Sequence, residues 1–279
     1  SYCPQGTRIA EEILALSGPL HVFYDLDTPV TLEKLRAGGV EYLSAEQIPA
    51  YDLYLSFTGG SILCELETAW GARRARPLYG CVDPGVYGRV APRAEFECRL
   101  SYMGTHSEDR RHKLEELFLA PARRLPQARF VLAGSLYPQD WRWPANISRF
   151  DHVAPAKHPA LYSSSRATLN ITRDGMARSG YCPSGRFFEA AACGTPIISD
   201  WWEGLHEFFS PEEILVVRSA QEVVAALQGE ETELRRRGER ARQRTLDEHS
   251  GECRARQLEQ YLEAALFSRN RSKPMEVAT

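Results

Sequence analysis

The residues best suited to chemistry lie in one segment, Ser184–Asp200, which reads SGRFFEAAACGTPIISD. Ser184 and Gly185 precede an apolar run, which predicts the start of a helix where free backbone N–H groups and the helix dipole favour an anion. Gly185 has no side chain, so a phosphate can approach closely. Gly194 and Pro196 predict the end of this helix and the start of a strand. The segment is therefore predicted to be a helix–turn–strand whose helix start binds a phosphate or another anion.

Glu189 is the second chemical feature of this segment, because it is a lone carboxylate in the apolar run FFEAAAC. A buried carboxylate is costly unless it is paired and hydrogen-bonded. We expect its side chain to be at least half buried, one helical turn from the anion site, where it could accept hydrogen bonds from a ribose diol. The alternative is an ion pair with Arg186, three residues earlier, worth about 0.2–0.5 kcal/mol. The spacing alone leaves both interpretations open.

Polar residues at the ends of other predicted strands are further candidates. Asp25 and Asp27 could bind or deprotonate an acceptor hydroxyl, although a turn-forming Asp-x-Asp-Thr-Pro is the favoured interpretation. Arg173 could contact a diphosphate or a sugar, and a surface Arg–Asp turn is the alternative. His152 could lie near a nucleotide base through its neighbouring backbone groups. These carboxylates lack further clustered ligands, so no metal site is predicted.

The order of elements predicts an α/β fold. Strands separated by helix-sized segments are typical of parallel sheets with crossover connections. The predicted strands are Leu20–Leu26, Asp52–Phe57, Arg76–Val82, Cys98–Met103, Phe130–Ala133, Ile147–Phe150, Ala167–Ile171, Pro196–Ser199 and Ile214–Val217. They form two Rossmann-like parallel-sheet domains, the N-terminal one incomplete. Ligands bind beyond the carboxyl ends of such strands, so the loops that begin at Gly104 and Gly134 are candidate ligand loops.

The helical segments complete this prediction. The predicted helices are Ile62–Trp70, Thr105–Leu119, His158–Ser164, Gly185–Cys193, Ala220–Leu227, Glu231–Glu248 and Glu252–Phe267. The helix from Thr105 is expected to begin with a capping box to Glu108 and to stop or kink at Pro121. Asp27 is expected to lead into a loop. The arginine-rich stretch Arg235–Arg244 alternates with glutamates, which favours a solvated helix face over a nucleic-acid site.

The predicted domains follow from these elements. Residues 1–93 form the partial N-terminal domain, 94–268 form the C-terminal domain, and 269–279 form a flexible tail.

Composition excludes several classes of protein. The 279 residues are 43% hydrophobic and 25% charged, with a formal net charge of -3, so the chain can bury a core and has no global attraction to nucleic acid or anionic membranes. No run approaches the ~18 apolar residues of a spanning helix, and no export leader is recognisable. Most of the seven scattered cysteines are expected to be buried packing residues. We predict a soluble, cytoplasmic protein of unknown oligomeric state.

Several segments resemble a known family. The segment around Glu189 looks like the C-terminal nucleotide-binding motif of the group 1 glycosyltransferases with the two-domain GT-B fold. More narrowly, the chain resembles the glycosyltransferase-like family named after spore maturation protein CgeB. The matching segments, in chain order, are FYDLDTPVT from Phe23, YDLYLSFTGG from Tyr51, GTHSEDR from Gly104, WPAN from Trp143, LNITR from Leu169 and the stretch from Phe188 to Gly204.

The resemblance implies a site and a reaction. The C-terminal domain would hold a nucleotide-sugar donor, such as a UDP-, GDP- or dTDP-sugar, with an unknown acceptor between domains and neither a cofactor nor a metal. Glu189 matches the second glutamate of the Glu-x7-Glu motif, which contacts the donor ribose. Tyr181 replaces the first glutamate, and Thr105 stands where many members carry a phosphate-binding arginine. Arg110, Lys113 or Arg186 could supply that charge.

The resemblance also implies that a further third of a chain precedes the equivalent of Ser1. We predict a metal-independent glycosyltransferase of hexosyltransferase-like type. A non-catalytic nucleotide- or sugar-binding protein and a nucleotide-sugar epimerase are the alternatives. The expected donor-site residues are Gly104, Thr105, Arg110, Gly134, His152, Arg173, Ser184, Gly185, Arg186 and Glu189.

Overall fold

The computed structural model describes residues 1–272, which form two compact units. The first unit contains residues 1–79, the short segment 179–182 and the helix from residue 252 onwards. The second unit contains residues 80–178 and 183–251. The first boundary between the units falls after residue 79, ahead of the predicted boundary at 93. The last helix belongs to the first unit.

Nine strands are present in the described residues. They are β1 (Val22–Asp25), β2 (Leu53–Ser56), β3 (Ala75–Pro77), β4 (Leu100–Met103), β5 (Phe130–Ala133), β6 (Ile147–Phe150), β7 (Thr168–Asn170), β8 (Ile197–Ser199) and β9 (Leu215–Val216). Each lies within, or within one residue of, a strand predicted from the sequence. The third is shorter than expected, because the segment predicted to reach Val82 leaves the sheet after Pro77.

Helices connect these strands. They are α1 (Gly6–Leu14), α2 (Thr28–Ala37), α3 (Ser61–Thr68), α4 (Arg111–Leu114), α5 (Ala120–Arg124), α6 (His158–Ser163), α7 (Asp174–Ser179), α8 (Gly185–Ala192), α9 (Leu205–Phe208), α10 (Ala220–Gln228), α11 (Glu231–Glu248) and α12 (Gly251–Ser272). None of the helices in residues 1–272 is both long enough and apolar enough to cross a membrane.

The first unit is a parallel sheet in the order β1-β2-β3, with helices on both faces. Every residue of the central strand β2 is buried, as expected of an apolar strand in a covered parallel sheet. One face packs against a cluster that includes Leu32, Tyr42 and Leu66. The other face, through Leu53 and Leu55, packs with residues of α12.

Helix α2 corrects the expectation of a loop after Asp27. Asp27 occupies the N-cap position and Pro29 lies in the first turn of the helix. A proline is well tolerated there because the first-turn N–H groups have no acceptor within the helix, and its fixed φ suits the helix. The Asp-Thr-Pro sequence is therefore a helix start and not a turn.

The second unit is a six-stranded parallel sheet in the order β6-β5-β4-β7-β8-β9. Counted along the chain of this unit, the order is the doubly wound 3-2-1-4-5-6 arrangement, with its switch point between β4 and β7. Buried side chains of α5, α10 and the strands, such as Ala122, Phe130 and Val223, form its larger core. The carboxyl ends of β4, β5 and β6 lie side by side at one edge of the sheet.

The helix after β4 differs from its prediction at both ends. It begins with a 3-10 turn at Glu108, whose N-cap Ser107 makes no side-chain capping bond, so the capping box from Thr105 is wrong. It also continues past Pro121 to Arg124. A π turn over Glu115–Leu119 precedes the proline, and this wider turn changes the hydrogen-bond pattern where Pro121 has no N–H to donate.

Two other expectations are corrected. Helix α12 continues to Ser272, so the predicted tail is helical at its start, and its remainder, 273–279, lies outside the described residues. Cys3, Cys64 and Cys81 are exposed and not buried as expected, whereas Cys193 is buried.

Candidate functional site

A cavity of about 200 Å³ lies at the carboxyl ends of β4, β5 and β6 in the second unit. Five of the predicted donor-site residues line it, namely Gly104, Thr105, Gly134, His152 and Arg186. The loops after three neighbouring parallel strands supply most of its wall. This is the edge at which open α/β sheets bind their ligands.

The glycine at position 134 lets two of these loops approach each other. A Cβ atom built on Gly134 would lie 2.6 Å from the carbonyl carbon of Gly104 and closer still to its oxygen. Any side chain at this position would therefore separate the loop after β5 from the loop after β4. The Gly104 oxygen also accepts a hydrogen bond of 2.6 Å from the Tyr137 hydroxyl, which fixes this backbone group at the cavity wall.

The N-terminus of α8 supplies backbone donors beside this cavity. Ser184 is the N-cap, and its hydroxyl accepts a bond of 3.4 Å from the Arg186 amide. A Cβ atom on Gly185 would meet nothing within 4 Å, so the space in front of the first turn is open. The first-turn N–H groups of a helix lack intrahelical acceptors and attract anions. The helix start is confirmed at the predicted position, and the binding of an anion there stays a prediction.

Arg186 and Arg110 bring positive charge to this region. Both line a small cavity of about 20 Å³ together with Tyr102, and both oppose the burial that raises the pKa of the Tyr102 hydroxyl. Within residues 1–272 Arg186 makes no salt bridge. Arg110 donates to the Thr105 carbonyl at 2.6 Å, and its buried Nε has no hydrogen-bond partner in the described chain. Two guanidinium groups are thus available to an anion.

Glu189 is largely buried, as the sequence predicted, with 23% of its side chain exposed. Its Oε2 accepts from the Tyr162 hydroxyl at 3.3 Å and lies 3.9 Å from His158 Nδ1. An ion pair between Glu189 and Arg186 does not occur in the described residues, so the alternative interpretation of this spacing is not observed. The Tyr162 hydroxyl therefore holds Oε2, and the nearest imidazole nitrogen lies beyond hydrogen-bond distance.

Lys113, a further candidate cation, forms ion pairs with carboxylates outside the cavity. Its ammonium lies 3.0 Å from Asp200 Oδ2 and 3.1 Å from Asp174 Oδ1, and it donates to the Thr172 carbonyl at 2.9 Å. Burial raises the pKa of the Asp200 carboxyl, and the Lys113 charge opposes that rise. Lys113 therefore balances the buried carboxylate of Asp200 after β8 and the partly exposed one of Asp174 at the start of α7.

Arg173 lies outside the cavity lining. Its Nε is 3.1 Å from Asp109 Oδ2. Burial raises the pKa of the Asp109 carboxyl, but hydrogen bonds from Ser107 and Arg173 outweigh it and the pKa is lowered overall. This contact corresponds to neither of the two interpretations of Arg173 made from the sequence, since its partner carboxylate is Asp109 and not Asp174.

Asp25 and Asp27 lie in the first unit. Asp25 is fully buried and its carboxylate accepts from Thr31 at 3.0 Å and Tyr54 at 2.7 Å. Asp27 accepts a bond of 2.7 Å from the Tyr2 hydroxyl. Both carboxylates are thus bonded by side chains of the first unit, and the start of α2 stands where the sequence favoured a turn.

Sequence reasoning missed the aromatic and imidazole groups around this site. His158, Tyr162 and Tyr87 surround Glu189, and Tyr137, Trp141 and Trp143 form an aromatic cluster beside Gly104. Tyr87 lies between β3 and β4, more than 100 residues from Glu189 in the chain. No local pattern could have connected these residues, because their proximity depends on the tertiary fold.

Comparison with protein families identifies one match. The model of the family described as glycosyl transferase-like matches residues 95–260, which is more than half of the chain and contains β4 to β9. A comparison with curated proteins finds none that matches.

Solved structures share the architecture. Sucrose-phosphate synthase from Thermosynechococcus elongatus matches with a TM-score of 0.66 and 16% identity, over 94% of this chain and 71% of that one. The Anabaena protein HepE in complex with UDP and glucose matches with a TM-score of 0.64 and 13% identity, over 87% and 71% of the two chains. AviGT4, a glycosyltransferase involved in avilamycin A biosynthesis, matches with a TM-score of 0.56 and 18% identity, over 94% of this chain and 78% of that one. The GT-B-like α/β fold with two parallel sheets is confirmed.

Proposed function

We propose that this chain, which belongs to the glycosyl transferase-like family, transfers a hexose from a nucleoside-diphosphate sugar to an acceptor. We also infer membership in the narrower family named after spore maturation protein CgeB, which the ordered segments from Phe23 to Gly204 support. The observation that carries the proposed reaction is the cavity at the carboxyl ends of β4, β5 and β6, with Arg186 in its wall and the N-terminus of α8 beside it.

The diphosphate would lie between the start of α8 and the two arginines. Departure of the sugar leaves negative charge on the diphosphate, and preorganised donors lower the barrier by stabilising that charge. The first-turn amides of α8 and the guanidinium groups of Arg110 and Arg186 are such donors. The unpartnered Nε of Arg110 supports this role, because a buried guanidinium nitrogen is stabilised by an acceptor.

The ribose would be held by Glu189. A carboxylate accepts hydrogen bonds from both hydroxyls of a diol, and bonds to a charged group contribute more than bonds between neutral groups. The base would then lie against the loop after β6, where Asp151, His152 and Val153 line the cavity. We favour UDP as the nucleotide because structural neighbours include complexes with UDP and with UDP-glucose.

We propose that the transfer is metal-independent. The positive charge of Arg110 and Arg186 would supply the neutralisation that a divalent cation supplies elsewhere. UDP binding and sugar transfer should therefore be unchanged in excess EDTA. A requirement for added Mg²⁺ or Mn²⁺ in either measurement would overturn this part of the proposal.

The central test is a binding screen. UDP, GDP, dTDP and CMP, each with its sugar conjugates, are titrated by calorimetry into the parent chain and into Glu189→Ala. We expect one nucleotide to bind the parent, and about tenfold or greater weakening in the variant, since bonds to charged groups contribute about 1.5–3 kcal/mol. Glu207→Ala, which removes an exposed carboxylate on α9, is the matched control and should bind like the parent.

Two results of the screen would contradict the proposal. If no nucleotide bound, or if the parent and Glu189→Ala bound equally well, the assignment of the donor site would be wrong. Binding of a nucleotide sugar without release of the nucleotide in the presence or absence of acceptors would favour a non-catalytic binding protein. Tyr181 in place of the first motif glutamate is the feature of this chain that favours that second outcome.

A further inference from the structure

Three neighbouring strands of the second unit are each preceded by an arginine. Arg129 stands directly before β5, Arg99 directly before β4 and Arg166 two residues before β7, and these strands lie in the order β5-β4-β7. Backbone hydrogen bonds place the arginines side by side. The Arg99 amide donates to the Arg129 carbonyl at 2.7 Å, and the Arg166 amide donates to the Cys98 carbonyl at 3.0 Å. Because the strands are parallel, this edge of the sheet is opposite to the edge of the proposed donor cavity.

A groove of about 630 Å³ lies at this amino edge. It is lined by the three arginines and by Arg124, the last residue of α5, and we call it the arginine groove. Leu125 and Pro126 contribute apolar surface to its wall. Among the described residues that line it, none is acidic. Its volume lies in the range of about 300–1,000 Å³ that is typical of small-molecule sites.

The positive charge of the arginine groove is mostly uncompensated. Only one of its four arginines has a carboxylate partner in residues 1–272, namely Arg166, which pairs with Glu231. Burial, followed by the charge of Arg166, lowers the pKa of the Arg99 guanidinium, and Glu231 opposes this effect. An arginine keeps its charge at neutral pH even so. Arg99 is therefore a partly buried cation beside a like charge, and a bound anion would relieve that repulsion.

Backbone contacts do not use all the donors of these arginines. Arg129 donates to two carbonyls and one hydroxyl at 2.6–3.0 Å, which braces the chain before β4. Arg99 donates one side-chain hydrogen bond in the described residues, to the Leu227 carbonyl at the end of α10. The side chain of Arg124 donates to no acceptor within residues 1–272, and the residue is exposed. A guanidinium has five N–H donors, so Arg99 and Arg124 retain donors for a ligand.

We propose that the arginine groove is a second ligand site, which binds a small organic molecule that carries two phosphate groups. A phosphate ester carries about 1.5–2 negative charges near pH 7, so two such groups balance the three unpaired arginines, whereas a dicarboxylate would carry only two charges. The planar guanidinium fork matches the oxygens of a phosphate. Leu125 and Pro126 would contact the carbon part of the ligand. This site shares no residue with the proposed donor cavity.

The test is a calorimetric titration with fructose 1,6-bisphosphate as the probe. We expect one equivalent to bind the parent, and Arg124→Ala and Arg99→Lys each to weaken binding about three- to tenfold, since these ion pairs are partly exposed to solvent. Lysine keeps the charge and a donor for the Leu227 carbonyl but lacks the fork. Arg123→Ala is the matched control. Arg123 is the adjacent exposed arginine of α5, is paired with Glu115 and does not line the groove, so its variant should bind like the parent.

A second readout separates ligand contacts from a loss of structure. Fructose 6-phosphate and succinate, which carry fewer charges, should bind the parent more weakly than the bisphosphate does. Raising NaCl from about 50 to about 200 mM should weaken binding of the bisphosphate, because salt screens exposed charges. This salt dependence should be shallower in Arg124→Ala, which a general loss of structure would not produce. Thermal unfolding verifies that each variant is folded.

The outcomes distinguish this inference from the proposed function. Binding of the bisphosphate should persist in Arg186→Ala, which removes a cation of the proposed donor cavity. Loss of that binding in Arg186→Ala would place the ligand in the donor cavity and overturn the second site. Equal binding by the parent, Arg124→Ala and Arg99→Lys would also overturn it, as would binding of a polyglutamate peptide but of no bisphosphate. A parent that binds the bisphosphate through Arg124 but binds no nucleotide keeps the second site and overturns the proposed function.

Discussion

At the residue scale, Arg186 is expected to contribute to the binding of the diphosphate and not to the binding of the ribose or the base. Its guanidinium has no salt bridge in residues 1–272 and lines the cavity beside the start of α8. We expect Arg186→Ala to weaken UDP binding about 10- to 100-fold, the value of a hydrogen bond between charged groups, and to leave uridine binding unchanged. Calorimetry with both ligands measures this. Arg123→Ala, which removes a surface arginine paired with Glu115, is the control.

The reactivity of the cysteines is a second prediction at this scale. Burial raises the pKa of Cys98 to about 11 and, with the charge of Glu189, that of Cys193 to about 12. At pH 8 a thiol with a pKa of about 11 is roughly one part in a thousand thiolate, the reactive form. Iodoacetamide should therefore label the exposed Cys64 and Cys81 and spare Cys98 and Cys193. Peptide mass spectrometry checks this, and fast labelling of Cys193 at pH 8 would contradict its packing role.

The sequence predicted the burial of Glu189 but not its partners. A lone carboxylate in a run of phenylalanine and alanine must share the buried face of its helix, so its environment could be inferred from adjacent residues. His158 and Tyr87 lie 31 and 102 residues earlier in the chain, and their contact with the carboxylate depends on how α6 and the segment before β4 pack. Such contacts leave no periodic signal in a single sequence.

At the scale of elements, Gly134 determines how closely the loops after β4 and β5 approach. We expect Gly134→Ala to destabilise the protein by about 1–3 kcal/mol, because the added methyl would overlap the Gly104 backbone, which cannot move aside as a flexible side chain can. UDP binding should weaken as well, since both loops line the cavity. Urea unfolding and calorimetry measure the two effects.

A matched glycine serves as the control for this prediction. A Cβ atom on Gly88 would meet only the Pro84 carbonyl oxygen, at 4.0 Å. Gly88→Ala should therefore leave stability and UDP binding unchanged. Equal behaviour of the two variants would show that the close approach of the β4 and β5 loops is unimportant.

Strands were easier to predict than helix ends in this chain. Apolar runs such as FVLA at β5 are buried on both faces, and their apolar composition predicts that burial. Helix α2 and the helix around Pro121 were mispredicted, because proline permits a helix start and a π turn as well as a helix end. Which of these occurs depends on tertiary packing that the local sequence does not specify.

At the scale of the whole molecule, the last helix belongs to the first unit. The sequence predicted α12 as part of the C-terminal domain, since it follows β9 and α11 in the chain. In the structure its residues Leu258, Tyr261, Leu262 and Ala265 pack in one cluster with Leu53 and Leu55 of β2. The pairing of distant segments is a property of the fold that linear order does not reveal.

This packing leads to a prediction for stability. Ala265 is 3% exposed in that cluster, so Ala265→Asp would bury a carboxylate among leucines. We expect a loss of about 3 kcal/mol or more in the free energy of unfolding. The adjacent Ala264 is exposed on the same helix, and Ala264→Asp makes the same change of residue type with the same helix propensity. Ala264→Asp should lower the free energy of unfolding much less than Ala265→Asp does.

Urea unfolding of the two variants, followed by far-ultraviolet circular dichroism, compares them directly. Because both substitutions add one negative charge to α12, a difference between them reports burial and not net charge. If Ala265→Asp unfolded at the same urea concentration as Ala264→Asp, α12 would not cover the β2 sheet. A large difference supports the conclusion that the first unit requires the C-terminal helix for its core, since that helix supplies the residues that shield one face of its sheet from water.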